Sequence, residues 1–170
     1  MYGSRIQFLS ILFMALLSGC GFKLIPTNEA LKLPTRLNFS AEDPFGTFSK
    51  SLRAELQLQG VDIIEEDALY TLRIFGPNES LNSLGPITNG EQMELIKTLS
   101  YILERNDNTV AIPLTKVRSE RIFVKNTKIG LSAENSQTYD ISKQLESDLA
   151  EKFLYSLSLR YGNYSSKNED

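Results

Sequence analysis

The chain of 170 residues has no histidine, no tryptophan and a single cysteine. Each absence removes a class of chemistry. Without histidine there is no Ser-His-Asp or Cys-His catalysis, and most zinc and transition-metal sites lose their usual ligand. One thiol cannot form an intrachain disulfide, so an oxidising compartment would add no covalent staple. Basic residues number 18 against 21 acidic ones, for a formal net charge of −3. Nucleic-acid-binding chains ordinarily carry a basic excess or stripe, so nucleic acid is not an expected partner. Carboxylate chemistry stays open in principle. The densest acidic group, Glu65-Glu66-Asp67, directly follows the short apolar run Val61 to Ile64. It reads as a solvated turn. The chain is expected to be neither an enzyme nor the carrier of a cofactor or metal.

The one long apolar run lies at the N-terminus. Arg5 is the only charge ahead of Cys20, and Ile6 to Leu17 is almost wholly apolar. That run is shorter than the roughly 17 residues a spanning helix needs, and it has the layout of a secretory signal. It ends in Leu17-Ser18-Gly19-Cys20, which resembles the bacterial lipobox. The resemblance implies a cut before Cys20, a diacylglyceryl group on its sulfur and an acylated new amine. The Cys is needed there because its thiolate is the nucleophile that takes the lipid. Gly21, in place of the Asp that retains many lipoproteins in the inner membrane, implies sorting to the outer membrane. The expected layout is a cleaved signal over residues 1–19 and a lipidated tether over 20–34. A domain over 35–160 and a disordered polar tail over 161–170 follow.

Within the domain, Arg36-Leu37-Asn38-Phe39 alternates polar and apolar, as a short strand does. Asp43-Pro44-Phe45-Gly46 marks a turn, and Thr47 is placed to cap a helix carrying Phe48, Leu52 and Leu56 on one face. Gly60 is suited to the left-handed residue that ends such a helix, with Val61 folding back on the last turn. Leu69 to Phe75 reads as a strand, Gly76-Pro77-Asn78 as its break, and the polar stretch to Gly90 as the tip of a long hairpin. Residues 91–104 fit both periods: Met93, Leu95, Leu99, Tyr101 and Leu103 alternate with Lys97 as the exception, while Leu95, Leu99 and Ile102 fit a helix face. The Asn89-Gly90 and Asn106-Asp107-Asn108 turns on either side favour a strand. Thr109 to Val124 is the next strand, where Pro113 points to an edge or a bulge. Ile141, Leu145, Leu149, Phe153 and Leu157 recur every fourth residue in a final helix over about 136–159, which Gly162 can end. The order β-α-β-β-β-α predicts an α+β fold: two helices packed on one face of a mostly antiparallel four-stranded sheet.

Cys20-Gly21-Phe22-Lys23-Leu24, the helix Ser51 to Gly60-Val61, the Asn89-Gly90 turn and the terminal helix stand in one order. In that order they resemble the LPS-assembly lipoprotein LptE family over about residues 20–160. The resemblance implies a periplasm-facing, lipid-anchored protein of the outer membrane. It would plug the LptD β-barrel, support that barrel's assembly and serve the insertion of lipopolysaccharide into the outer leaflet. Lipopolysaccharide binding is also proposed for that family. The family pattern has a basic residue before the Asn89-Gly90 turn and another ahead of the last helix, where this chain has Thr88 and Ala133. A substitute contact set is Lys116, Arg118, Arg121, Lys125 and Lys128, together with Thr88 and Asn89. Phosphates would take charge-assisted hydrogen bonds from such a cluster. The same basic residues would equally suit a solvated sheet face or a contact with the barrel lining. A stand-alone lipid or small-ligand carrier is the alternative. It would need an apolar cavity between sheet and helices, where a plug needs a close-packed core.

Overall fold

The computed structural model describes residues 31–88, 90–125 and 131–168. Cys20, Asn89 and Lys128 lie outside them. Seven elements follow in order: β1 (Arg36–Ala41), α1 (Thr47–Leu58), β2 (Asp62–Ile63), β3 (Tyr70–Ile87), β4 (Gly90–Arg105), β5 (Val110–Lys125) and α2 (Leu131–Asn168).

The first helix begins one residue earlier than a Thr47 cap would place it. Gly46 is the N-cap, and its N–H donates to the Asp43 carboxylate at 3.0 Å, so Thr47 is already helical. The C-terminal end follows the glycine logic. Gly60 has φ +86°, its N–H donates to the Gln57 carbonyl, and the Val61 N–H reaches back to the Leu56 carbonyl at 3.1 Å.

The sheet has five strands in the order β2-β1-β3-β4-β5 and is mixed, which corrects the four-stranded, mostly antiparallel expectation. β1 runs parallel to both β2 and β3, while β3, β4 and β5 are antiparallel. The cause is the crossover: α1 carries the chain back to the end where β1 started, so β2 can pair with β1 only in parallel. Two residues show no periodicity, which hides β2 from any pattern reading.

Residues 76–87 are also strand rather than hairpin tip. A cis Gly76-Pro77 bond and register shifts at 75/78 and 83/85 interrupt the ladder, but pairing continues to Ile87↔Gly90. Residues 91–104 are strand as well, as the flanking turns indicated. β1 pairs with β3 only as far as Ala41↔Ile74. Beyond that point β3, β4 and β5 continue as a three-stranded ribbon. At about 3.3 Å per residue these strands are about 50 Å long.

One face of the sheet is covered by both helices. Leu37 and Phe39 of β1, Leu72 and Ile74 of β3, and Leu99, Tyr101 and Leu103 of β4 meet Leu52 and Leu56 of α1 and Leu149, Phe153 and Leu157 of α2 in one apolar cluster. The opposite face, with Arg73, Ser100, Ile102, Lys116 and Arg118, is exposed or half-buried.

α2 runs from the hairpin end of the ribbon, where Gln137 donates to the Val124 carbonyl, back to the base, where Tyr161 meets the Tyr70 ring edge-on at 5.6 Å. It passes the expected end at 159 and remains helical through Asn168, so the expected disordered tail is helix as far as that residue. The reason is packing: Tyr161 and Tyr164 rest on the core, and Gly162 leaves room for the Lys32 side chain. The last residues assigned to the tether are docked too. Leu31 and Leu33 pack against the core and Pro34 is buried.

Candidate functional site

Strand geometry divides the basic stretch. Side chains two apart share a face, so Lys116 and Arg118 lie on the open face, whereas Arg121 and Lys125 lie on the face that α2 covers. The pairing agrees: Arg118 lies opposite Thr98, and Arg121 lies opposite the buried Leu95. Arg118 is held by Glu120 and by Glu94 at 3.6 Å. Arg121 donates to Gln144 and pairs with Asp148 of α2 at 3.7 Å. Lys116 makes no ion pair among the described residues. Thr88 is exposed in the hairpin turn. The stretch therefore presents two small groups on opposite faces, with the arginine of each compensated by carboxylates, rather than one continuous basic patch.

On the α2 side, near the hairpin, lies an open crevice of about 370 Å³ lined by Glu79, Leu81, Phe123, Lys125, Thr138, Tyr139 and Ser142. It collects Lys125 with polar and aromatic groups from β3 and α2.

A polar layer crosses the interior beside it, and sequence reasoning did not find it. Glu79, Lys97 and Ser119 are partners across β3, β4 and β5, so one rung of the ribbon is polar on its covered face. Lys97 is only 5% exposed. Its ammonium lies 3.1 Å from the Glu79 carboxylate and 2.7 Å from that of Glu146 on α2. Lys143 donates to the other Glu146 oxygen at 3.0 Å, and the Ser142 hydroxyl donates to Glu79 at 2.8 Å. Lys152 completes the layer by donating to the Ser119 hydroxyl at 3.3 Å. No buried side-chain polar atom among the described residues lacks a partner. The signal was present in the sequence: Lys97 is the single charge at an inward position of an otherwise apolar alternation. A buried lysine requires carboxylate partners, but nothing in the spacing says that Glu79 and Glu146 supply them.

Burial by itself would raise the Glu146 carboxyl, but hydrogen bonds and charge from Lys97 and Lys143 outweigh it and hold the group below its ordinary value. A carboxylate depressed in the folded state adds stability above its unfolded pKa and loses it as pH falls through the folded one. Glu79, Lys97, Lys143 and Ser142 are the polar groups that face this network. The wild type is therefore expected to lose unfolding free energy below about pH 4.5 more steeply than Glu146→Gln. Parallel denaturant titrations between pH 3 and 7 measure the difference, and superimposable profiles would rule out the coupling. Deeper in the core, burial raises the Tyr101 phenol, an effect opposed by the hydrogen bond to Ser156 at 2.8 Å, the charge of Arg160 and a hydrogen bond with Thr115.

The described residues offer no group of three metal-ligating side chains, and no helix among them is long and apolar enough to cross a membrane. What the arrangement provides is surface: a long three-stranded ribbon with one helix laid along its length.

This architecture is shared by solved bacterial lipoproteins. Rare lipoprotein B from Shewanella oneidensis superposes with a TM-score of 0.64 over 76% of this chain and 98% of its own, at 18% identity. An uncharacterized lipoprotein B from Nitrosomonas europaea superposes with a TM-score of 0.62 over 81% and 90%, also at 18% identity. At such identities the likeness concerns the fold alone. In sequence, the chain is 32% identical over 80 residues to proteins named LPS-assembly lipoprotein LptE from Yersinia pestis and Yersinia pseudotuberculosis. The match covers 45% of this chain and 39% of those relatives, well under half their length. No family model matches. The sequence likeness is thus to proteins named LptE over part of their length, and the fold likeness is to solved lipoproteins.

Proposed function

We propose that this protein is a lipid-anchored, periplasm-facing component of the outer membrane that works in lipopolysaccharide assembly by plugging an LptD-type β-barrel. The observation that carries the reading is the 80-residue match to proteins named for LPS assembly, on a chain whose fold is that of solved lipoproteins. Two features of the molecule support a plug over a stand-alone carrier. Tyr101, Phe153, Leu37, Leu52, Leu72 and Leu103 are all fully buried between sheet and helices, so this region is filled with side chains. Two arginines of the open sheet face are also matched by carboxylates, Arg73 by Glu104 at 2.9 Å and Arg118 by Glu94 and Glu120, which suits a polar protein wall. Barrel interiors are polar in this way.

Affinity capture of the native protein from detergent-solubilised outer membrane, read by mass spectrometry, tests the reading. A co-purifying β-barrel in near-equal amount is the expected result. Recovery of the protein alone with bound lipid would favour a carrier.

The basic residues are tested in the same preparation. Charge reversal at Arg118 and Arg121 is expected to lower barrel recovery if they meet its wall. If they meet lipopolysaccharide phosphates, it should instead weaken binding by the isolated protein, and less so at high salt. Wild-type behaviour in both assays would assign these side chains to the solvated surface, where exposed ion pairs contribute at most about 1 kcal/mol.

A further inference from the structure

The apolar interior beneath α2 is not continuous. The main cluster includes Leu99 and Val117 on the sheet and Leu149, Phe153 and Leu157 on the helix. Met93, Leu95 and Leu145 are equally buried yet lie outside that cluster. Between the two groups stands the polar layer of Glu79, Lys97 and Ser119, closed from above by Ser142, Glu146 and Lys152. On the hairpin side of that layer the apolar contacts are few. Leu81 is half exposed, Phe123 is half-buried, and the open crevice already separates Leu81 and Phe123 from Tyr139.

We propose that the Lys97 layer is a built-in boundary: the hairpin end of the ribbon and the first half of α2, up to Leu145, open as one unit while the base stays folded. The inference stands apart from the barrel reading and needs no partner.

Three physical points carry it. Cooperative unfolding spreads through shared apolar contacts, and a rung of charged and hydroxyl groups interrupts them. The layer is held by directional bonds that water can replace once α2 lifts, so opening leaves no buried group unsatisfied on the base side. The free edge of β5 is also guarded by side-chain bonds: Gln137 donates to the Val124 carbonyl at 3.5 Å at the hairpin end, and Lys152 donates to the Arg118 carbonyl at 3.4 Å beside the layer. Both are weak bonds by length. Opening exposes Met93, Leu95 and Leu145 beside Leu81 and Phe123, so the crevice enlarges into an apolar groove while the base remains intact.

Hydrogen–deuterium exchange by mass spectrometry on the full-length protein tests this. In the wild type, amides of residues 81–95, 121–125 and 136–145 are expected to exchange together. Their rate should be about tenfold or more above that of residues 99–103 and 149–161. Lys97→Met leaves Glu79 and Glu146 without their shared cation. It should raise exchange a further tenfold on the hairpin side and leave the base unchanged. Adding Glu146→Leu removes the stranded carboxylate and should return the hairpin side to the wild-type rate or below it, since replacing a buried ionic set by apolar groups is often neutral or stabilising. A single common rate across both sides in the wild type would overturn the boundary, as would a uniform rise throughout α2 in Lys97→Met. Should Lys97→Met not fold, the wild type and the double variant still decide the question.

Discussion

Phe153→Ala is expected to lower the stability of the protein by about 3–5 kcal/mol, the cost of deleting a fully buried aromatic side chain from a close-packed core. Phe153 is the side chain through which α2 is keyed to the middle of the sheet. It is fully buried, and its ring stands edge-on to Tyr101 with centroids 5.0 Å apart. Such pairs add about 0.5–1.5 kcal/mol beyond the area they bury. Tyr101 is in turn tied to α2 through its hydroxyl and Ser156. Removing the ring leaves a cavity bordered by residues that cannot collapse, because Leu149 and Leu157 are one turn away on the same rigid helix. Equilibrium denaturation should show a lower midpoint with little change in slope. A loss under about 1 kcal/mol would mean that α2 does not pack on the sheet as described.

The second large effect concerns the anchor. Cys20→Ala is expected to abolish labelling with radioactive palmitate and to release the protein from the membrane fraction. Each buried methylene of an acyl chain contributes about 0.8 kcal/mol, so several chains together give stable attachment where one alone would be marginal. No helix among the described residues is long and apolar enough to span a bilayer. Labelled, membrane-bound Cys20→Ala protein would overturn the lipobox reading and with it the proposed location. An unlabelled protein that still sediments with membranes would point to a retained signal segment or to capture by a membrane partner. Extraction with carbonate separates those two outcomes.

Local chemistry made several elements legible in the sequence. Phe48, Leu52 and Leu56 lie on the buried side of α1 because helical spacing alone puts them on one face, and Gly60 ends that helix because only glycine takes φ +86° without strain. The alternation from Met93 to Leu103 likewise placed those side chains toward one interior. Leu145, Leu149, Phe153 and Leu157 are buried as their spacing of four requires. All of these are properties of a residue and its near neighbours in the chain.

What the tertiary structure alone decided is which elements lie side by side. Periodicity states which side chains share a face, but not which strand sits beside which, so the parallel placement of β1 between β2 and β3 could not be read from it. The basic stretch shows the same limit at a smaller scale. Its five charges are close in sequence, yet pleating sends Lys116 and Arg118 one way and Arg121 and Lys125 the other, and partners up to 27 residues distant compensate Arg118 and Arg121. Near its start, a register shift around Pro113 breaks the parity, so Ile112 is buried and Leu114, two residues on, is exposed. Lys97 is the sharpest case. One charge in an apolar alternation is visible in the sequence. Whether it snorkels to water or is buried depends on carboxylates 18 residues before it and 49 after, and only folding brings Glu79 and Glu146 to it.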